Sequence, residues 1–354
     1  MRGRWTIAFL AVPFHAVAAD EIYPGYTWQE LGNGIYLHSQ NDPLAGPVDG
    51  NSTVIFNDDG VLVVDTHINP AVTRAVIDKI RSMTEAPVTY VVNTHGHDDH
   101  TNGNHAYRQA FPDARIIAHR DTLKYLRDEW PAMEDQRREA YAKIDVEELQ
   151  RRAAAPDLVD PGMAVAYRVY AGYVTALRPE LPGLALEYPD TVIDDSLLLE
   201  FDDRRVELRW LGRGNTEGDV VVWLPGDGVL ITGDLLVAPI PFAFDSPMTD
   251  WSVALQRLDD MDARILVPGH GAAQFDRRYL ESVRALLEAT TDRVRMARDE
   301  GAAFGDLAGA VDLEDFRREF AGDDPERLWA WKSYFVTPGL QSAWTSLGYP
   351  VSED

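Results

Sequence analysis

The stretch Thr94-His95-Gly96-His97-Asp98-Asp99-His100-Thr101-Asn102-Gly103 constrains this chain more than any other. It sets three imidazoles and two carboxylates within six consecutive positions, directly behind the apolar run Val88-Thr89-Tyr90-Val91-Val92. A β-branched run of this kind reads as a buried strand, so the polar cluster falls on the loop leaving the strand's end. His95 and His97, two apart on an extended backbone, can point the same way, while Asp99 and His100 follow a local turn and can face a second point nearby. Neutral imidazoles and a carboxylate match the ligand preferences of zinc, and the arrangement suits two ions. The bland alternative is a polar turn whose histidines are merely solvated.

Any metal here must be held by nitrogen and oxygen, because the chain has no cysteine. That also excludes disulfides and a thiolate nucleophile. With 354 residues there is ample material for a buried core in one large or two ordinary domains. Residues 1–19 read as a secretory signal: Arg2 and Arg4 precede a mostly apolar run from Trp5 to Ala18, interrupted by Pro13 and His15, and Ala16-Val17-Ala18 offers small residues for cleavage. No later stretch is apolar for long enough to span a bilayer, so a periplasmic or secreted protein with no membrane partner after cleavage is expected. The formal net charge of −25 repels nucleic acid and anionic lipid. Nuclease or phosphodiesterase activity therefore fits poorly, and a small-molecule substrate is the expected partner.

Gly34 to His38 and Ser52 to Asn57 read as strands, with Asp58-Asp59-Gly60 as a tight turn into Val61-Leu62-Val63-Val64-Asp65. This last run delivers Asp65 to the end of a central strand. Pro70 opens a helical pattern marked by Val72, Ala75, Val76 and Ile80. Strands and helices alternate from there, which indicates a mixed α/β fold with helices covering sheets. Residues from about 120 to 190 are charged and helix-favouring, with a sparse apolar stripe and several tyrosines; they read as a largely helical insertion able to cover a metal cleft. Strands resume at Ser196, and two strand-rich halves could each supply one layer of a sandwich. From Asp276 the chain looks helical, with Val283, Leu286, Leu287, Val294 and Met296 as apolar-face residues. The tail aromatics Trp329, Trp331, Tyr334, Phe335 and Trp344 are expected to pack against the body.

Three further segments end strands: Asn215-Thr216-Glu217-Gly218-Asp219, Thr232-Gly233-Asp234 and Pro268-Gly269-His270-Gly271. With HxHxDH and Gly103 before them, their order resembles the metallo-β-lactamase superfamily from roughly Gly34 to Phe275. The resemblance implies a four-layer αββα sandwich with a dinuclear zinc site along one edge of its sheets. It divides the chain into a metallo-β-lactamase-like domain over 20–275, with the insertion at about 120–190, and a helical extension over 276–354. Carried over position by position, His95 and His97 bind the first zinc, Asp99, His100 and His270 the second, and Asp234 bridges both. Asp65 matches a buried acid expected to orient the histidine loop. His38, His67, His105 and His119 lack a paired spacing and read as structural.

The departure is Asn215, which stands where the family usually has a histidine as third ligand of the first zinc. After His119 the chain contains no histidine except His270, so nothing downstream replaces it. A neutral amide oxygen is a weaker zinc donor than imidazole, and the first site should bind less tightly. Three outcomes stay open: a dinuclear site with a loose first ion, a mononuclear enzyme built on Asp99, His100, His270 and Asp234, or a degenerate site. The implied activity is hydrolysis of an amide, ester, lactone or thioester, a β-lactam among them, with Asp99 or Asp234 orienting or deprotonating the attacking water. The alternative is a periplasmic binding or accessory protein that keeps the fold and uses its altered site to capture a ligand.

Overall fold

The computed structural model describes residues 20–155, 160–244 and 246–351. The proposed signal segment lies outside them. Thirteen strands form two sheets. β1 (Asp20–Tyr23), β2 (Tyr26–Gly32), β3 (Ile35–Gln40), β4 (Ser52–Asn57), β5 (Gly60–Val64), β6 (Val88–Val92), β7 (Arg115–His119) and β8 (Thr191–Ile193) lie side by side in that order. The second sheet runs β13 (Ile265–His270), β12 (Val229–Val237), β11 (Val220–Leu224), β10 (Arg205–Trp210), β9 (Ser196–Glu200). Strands joined by hairpins pair antiparallel; β5 to β8 and the β12–β13 pair are parallel.

Side-chain alternation along these strands builds the layers. In β5, Leu62 and Val64 enter the core between the two sheets, while Val61 and Val63 face the helix Pro70–Met83 through Val76, Ile77 and Ile80. In the second sheet Val220, Val222, Ile231 and Val267 enter the same inter-sheet core, and Val221, Leu230 and Leu266 face the opposite way. There they meet the helices Met248–Asp259 and Arg278–Asp299. Both sheets are thus apolar on both faces, and a one-residue slip in any of these strands would exchange its two sets of partners. The result is the αββα sandwich implied by the sequence.

The helix Pro70–Met83 starts where Asn69 Oδ1 accepts from Ala71 N at 2.9 Å, with proline at the first helical position. Trp251 is fully buried in the outer layer of the second sheet, and its Nε1 donates to Leu235 O at 3.0 Å. Of the tail aromatics, Trp331, Phe335 and Trp344 are buried in that layer, while Trp329 and Tyr334 pack beside it. Met296, expected on the apolar face of its helix, is instead exposed.

The sheets do not divide where the helical segment interrupts the sequence. Helices Arg120–Asp128, Trp130–Lys143, Val146–Ala153 and Pro161–Leu177 fall between β7 and β8, and β8 returns to the first sheet by pairing parallel with β7. Its three residues are too few for a periodic signal, which is why strands read from sequence resume only at Ser196.

Candidate metal centre

The proposed ligands come from loops after strands, from the end of β13 and from within β12, and they meet at one edge of the sandwich. β6 ends at Val92 and the chain turns through Asn93 to His97 into the short helix Asp98–Thr101. Asn93 ties this turn down: its Nδ2 donates to His100 O at 2.9 Å and to Asn104 Oδ1 at 3.0 Å. Asp234 sits within β12, and His270 ends β13. Asn51 locks the two sheets together beside them, its N donating to Gly269 O at 2.7 Å and its Nδ2 to Pro268 O and Gly271 O at 2.8 Å each. A side chain at Gly269 would place a Cβ 1.9 Å from Asp234 Oδ1, so glycine is required for that approach.

The donors gather into two groups. His95, His97 and Asp234 form one, and Asp99, His100 and His270 the other, with ligand atoms in each within 4.8 Å of one another. In the first, His95 Nε2 lies 3.0 Å from His97 Nδ1 and 3.8 Å from Asp234 Oδ2. In the second, Asp99 Oδ2 lies 3.4 Å from His100 Nε2 and 3.1 Å from His270 Nε2. Asp234 turns its other oxygen, Oδ1, to this second group, 3.3 Å from His100 Nε2 and 3.5 Å from His270 Nε2. One carboxylate therefore serves both groups. His95, His100, Asp234 and His270 are buried, whereas His97 and Asp99 are half-buried and open towards solvent.

The donor set fits a metal. His100 Nε2, His270 Nε2 and Asp234 Oδ1 are buried without an aligned hydrogen-bond partner. Buried polar atoms left this way are costly unless another partner satisfies them, and a cation placed among nitrogen and oxygen lone pairs does so.

Asp65 fixes two of the imidazoles. Its Oδ1 accepts from Thr94 N at 2.8 Å, its Oδ2 accepts from Thr94 Oγ1 at 2.7 Å, and His100 Nδ1 lies 2.9 Å from the same Oδ2. Because the Thr94 hydroxyl proton is given to Asp65, its oxygen accepts from His95 Nδ1 at 3.1 Å. Both histidines thereby carry hydrogen on Nδ1 and turn Nε2 into the site, the tautomer that metal ligation needs. Asp65 itself supplies no ligand atom to either donor group. It adopts φ +60 directly after β5, a left-handed conformation that aspartate tolerates better than most residues.

Charges within the cluster oppose burial. Burial pulls His270 down, but Asp234 and Asp99 outweigh it and push the imidazole up to about 9. His100 is likewise lowered by burial and raised further by Asp99, Asp234 and Asp65, ending well above its usual range. Asp99 and Asp234 are raised by burial and brought well below the carboxylate range by the two imidazoles. His95 behaves oppositely: burial and the neighbouring His100 and His97 hold it well below its usual value. Without metal the carboxylates favour protonation of the second group's imidazoles, whereas burial and its neighbours disfavour it at His95.

Asn215 is buried at the site, on the side of the first group. Its Nδ2 donates to Asp234 Oδ2 at 3.2 Å and its Oδ1 accepts from Ser246 Oγ at 3.3 Å. The amide oxygen, the atom expected to act as a ligand, faces away from the donors in this arrangement. Asp98 also points elsewhere: Arg137 from the helix Trp130–Lys143 donates to it.

Several supporting residues carried no sequence signal. Ser246 lies 31 positions from the Asn215 it holds. Gly50 packs so closely on the ligand loop that a Cβ there would lie 2.5 Å from Asp99 O and 2.7 Å from His100 Cε1. His38 and His67, which lack a paired spacing, meet at 2.8 Å between Nδ1 and Nε2, and His67 Nδ1 lies 3.3 Å from Asp49. Both are buried and belong to neither donor group.

Fold and site together define an αββα sandwich with a cluster of histidines and carboxylates at its edge that could hold a metal. Residues 45–270 match the family model described as the metallo-β-lactamase superfamily. The chain belongs to that superfamily and is a hydrolase. It is 24% identical over 232 residues to metallo-β-lactamase type 2 of Bacteroides fragilis, covering 64% of this chain and 70% of that one. Identity to the type 2 enzyme of Bacillus cereus is 21% over 250 residues, with 68% and 75% covered. Among solved structures, a metallo-β-lactamase from Pontibacter korlensis superposes with TM-score 0.54 at 18% identity, covering 74% of this chain and 99% of that one. A sec-alkylsulfatase from Pseudomonas sp. superposes with TM-score 0.62 at 18% identity, covering 92% of this chain and 51% of its own.

Proposed function

We propose that this chain is an exported, zinc-dependent hydrolase that attacks the carbonyl of an amide, ester, lactone or thioester, with β-lactams among the candidates. The observation that carries the reading is the pair of donor groups sharing Asp234, with buried nitrogen and oxygen lone pairs left unpartnered. His95, His97 and Asp234 Oδ2 would hold one ion; Asp99, His100, His270 and Asp234 Oδ1 the other. Bound zinc would supply hydroxide at neutral pH and polarise the carbonyl.

The chain's own residues supply orientation and proton handling. Asp65 keeps His100 in the ligating tautomer by direct contact and His95 through Thr94. Asp99 is the more open of the two ligand carboxylates, at 15% side-chain exposure against 2% for Asp234. It is therefore the carboxylate placed to orient an attacking water and accept its proton. Asn215 supplies an amide where an imidazole is usual, which makes the first group the weaker site.

The same amide supports a second reading, a periplasmic binding or accessory protein with a degenerate centre. A hydrolysis panel separates the two: a β-lactam, an aryl ester, a lactone and a thioester, with a secondary alkyl sulfate added because of the sulfatase-like superposition. Turnover of one class, abolished by a chelator and restored by zinc, is the expected result. A zinc-loaded chain that turns over none of them supports the binding protein instead. Secretion into the periplasm of an expressing cell, with cleavage after residue 18 or 19, tests the export part.

A further inference from the structure

The ligand imidazoles are flanked by aromatic rings. At the His270 end, the Phe242 ring lies 5.0 Å from the imidazole between centroids. Phe242 continues outward to Phe244 at 5.7 Å and Tyr334 at 4.9 Å, and these two stand 5.5 Å apart. Tyr334 belongs to the C-terminal segment, outside residues 45–270. Its carbonyl accepts from Ala243 N at 2.8 Å, which fixes the segment to the loop following β12. At the other end, Tyr125 lies 6.1 Å from His97, and its hydroxyl donates to Met133 Sδ at 3.2 Å.

Packing accounts for Phe242, which is buried against Val48, Val165, Val169 and Val237. It does not account for Phe244, which remains 45% exposed at the outer end of the ring series. Arg137 reaches the ligand loop, where its guanidinium pairs with Asp98 and Glu134. Binding sites of small molecules commonly set apolar walls beside a few polar groups, and this ring series runs from a ligand imidazole to the exposed Phe244.

We propose that Phe244 and Tyr334, backed by the buried Phe242, form the subsite for a bulky apolar part of the substrate, an aryl or long alkyl group adjoining the scissile bond. The inference rests on the metal-hydrolase reading and adds the substrate class: apolar esters, lactones or amides in preference to small polar ones. Phe244 and Tyr334 determine specificity, one from the core domain and one from the C-terminal extension.

The test uses the full chain loaded with cobalt(II), titrated with ethanethiol and with phenylmethanethiol and followed by the cobalt absorption spectrum. Both thiols offer the same sulfur, so the difference in affinity reports the apolar wall. Phenylmethanethiol is expected to bind about tenfold more tightly, as burial of a ring face gives. Phe244→Ala, a change at an exposed position, should reduce that preference to about threefold or less while cobalt stoichiometry and ethanethiol affinity stay as in the parent. Tyr334→Ala should do the same. Equal affinities in the parent, or a preference that survives both substitutions, overturns the subsite and leaves the metal reading standing. A chain that binds no cobalt overturns both.

Discussion

Asn215 donates its amide nitrogen to Asp234 Oδ2 at 3.2 Å, where the superfamily pattern would have an imidazole ligand. The hydrogen bond is reasonable for an ionised carboxylate, and Ser246 Oγ completes it by donating to the amide oxygen. It leaves the first group with two imidazoles and one shared carboxylate oxygen. Asn215→His should therefore raise affinity at the first site by about tenfold or more, measured by zinc competition with a chromophoric chelator. Unchanged stoichiometry and affinity would show that position 215 does not face the metal.

Loading the second site should expel protons. His100 and His270, the latter at about 9, are charged at neutral pH in the metal-free chain, and both must give up a proton to ligate. Apparent affinity should rise with pH up to about 9, by about tenfold per unit for each proton displaced. Calorimetric titration with zinc in two buffers of different ionisation enthalpy reads the proton count directly. Heats independent of the buffer would contradict the charge assignment.

Asp65→Asn should weaken metal binding without removing a ligand. The amide cannot accept from Thr94 N, Thr94 Oγ1 and His100 Nδ1 together, so the ligating tautomers are no longer enforced. A loss of about 10–100-fold in zinc affinity is expected, with circular dichroism retained.

Asp219 links stability to pH. Burial raises its carboxyl from 3.8 to about 7, against hydrogen bonds from Thr216 that favour the charged form. Between these values the folded chain keeps a proton that the unfolded chain has lost, so this group's contribution is full below 3.8 and is lost as pH rises to about 7. The loss is at most about 4 kcal/mol. Denaturant melts of metal-free protein should show Asp219→Asn gaining on the parent as pH goes from 4 to 7, and a constant difference would refute the assignment.

Much of the fold, and the clustering of the candidate ligands, was legible because their signals are local in sequence. Val88 to Val92 is apolar enough to mark a strand, and the histidines follow at once, so the ligand loop is readable from a dozen residues. Asp234 and His270 come shortly after strand-like apolar runs in the sequence, and the structure extends both strands to include them. What was not legible depends on distant partners. The orientation of Asn215 is set by Ser246, and the aromatic wall arises where Tyr334 meets Phe242, 92 positions earlier in the chain. β8 is three residues of sheet edge whose identity comes from its pairing with β7, not from its own periodicity.

The central claim is a metal centre of two unequal halves sharing Asp234. Zinc titration of the purified chain, read by native mass spectrometry alongside His97→Ala and His270→Ala, tests it most directly. Two ions are expected at saturation in the parent, one held more tightly; His270→Ala should lose the tight ion and His97→Ala the loose one. A parent chain that binds no zinc or other transition metal at micromolar concentration would contradict it, as would two ions of equal affinity unaffected by either substitution.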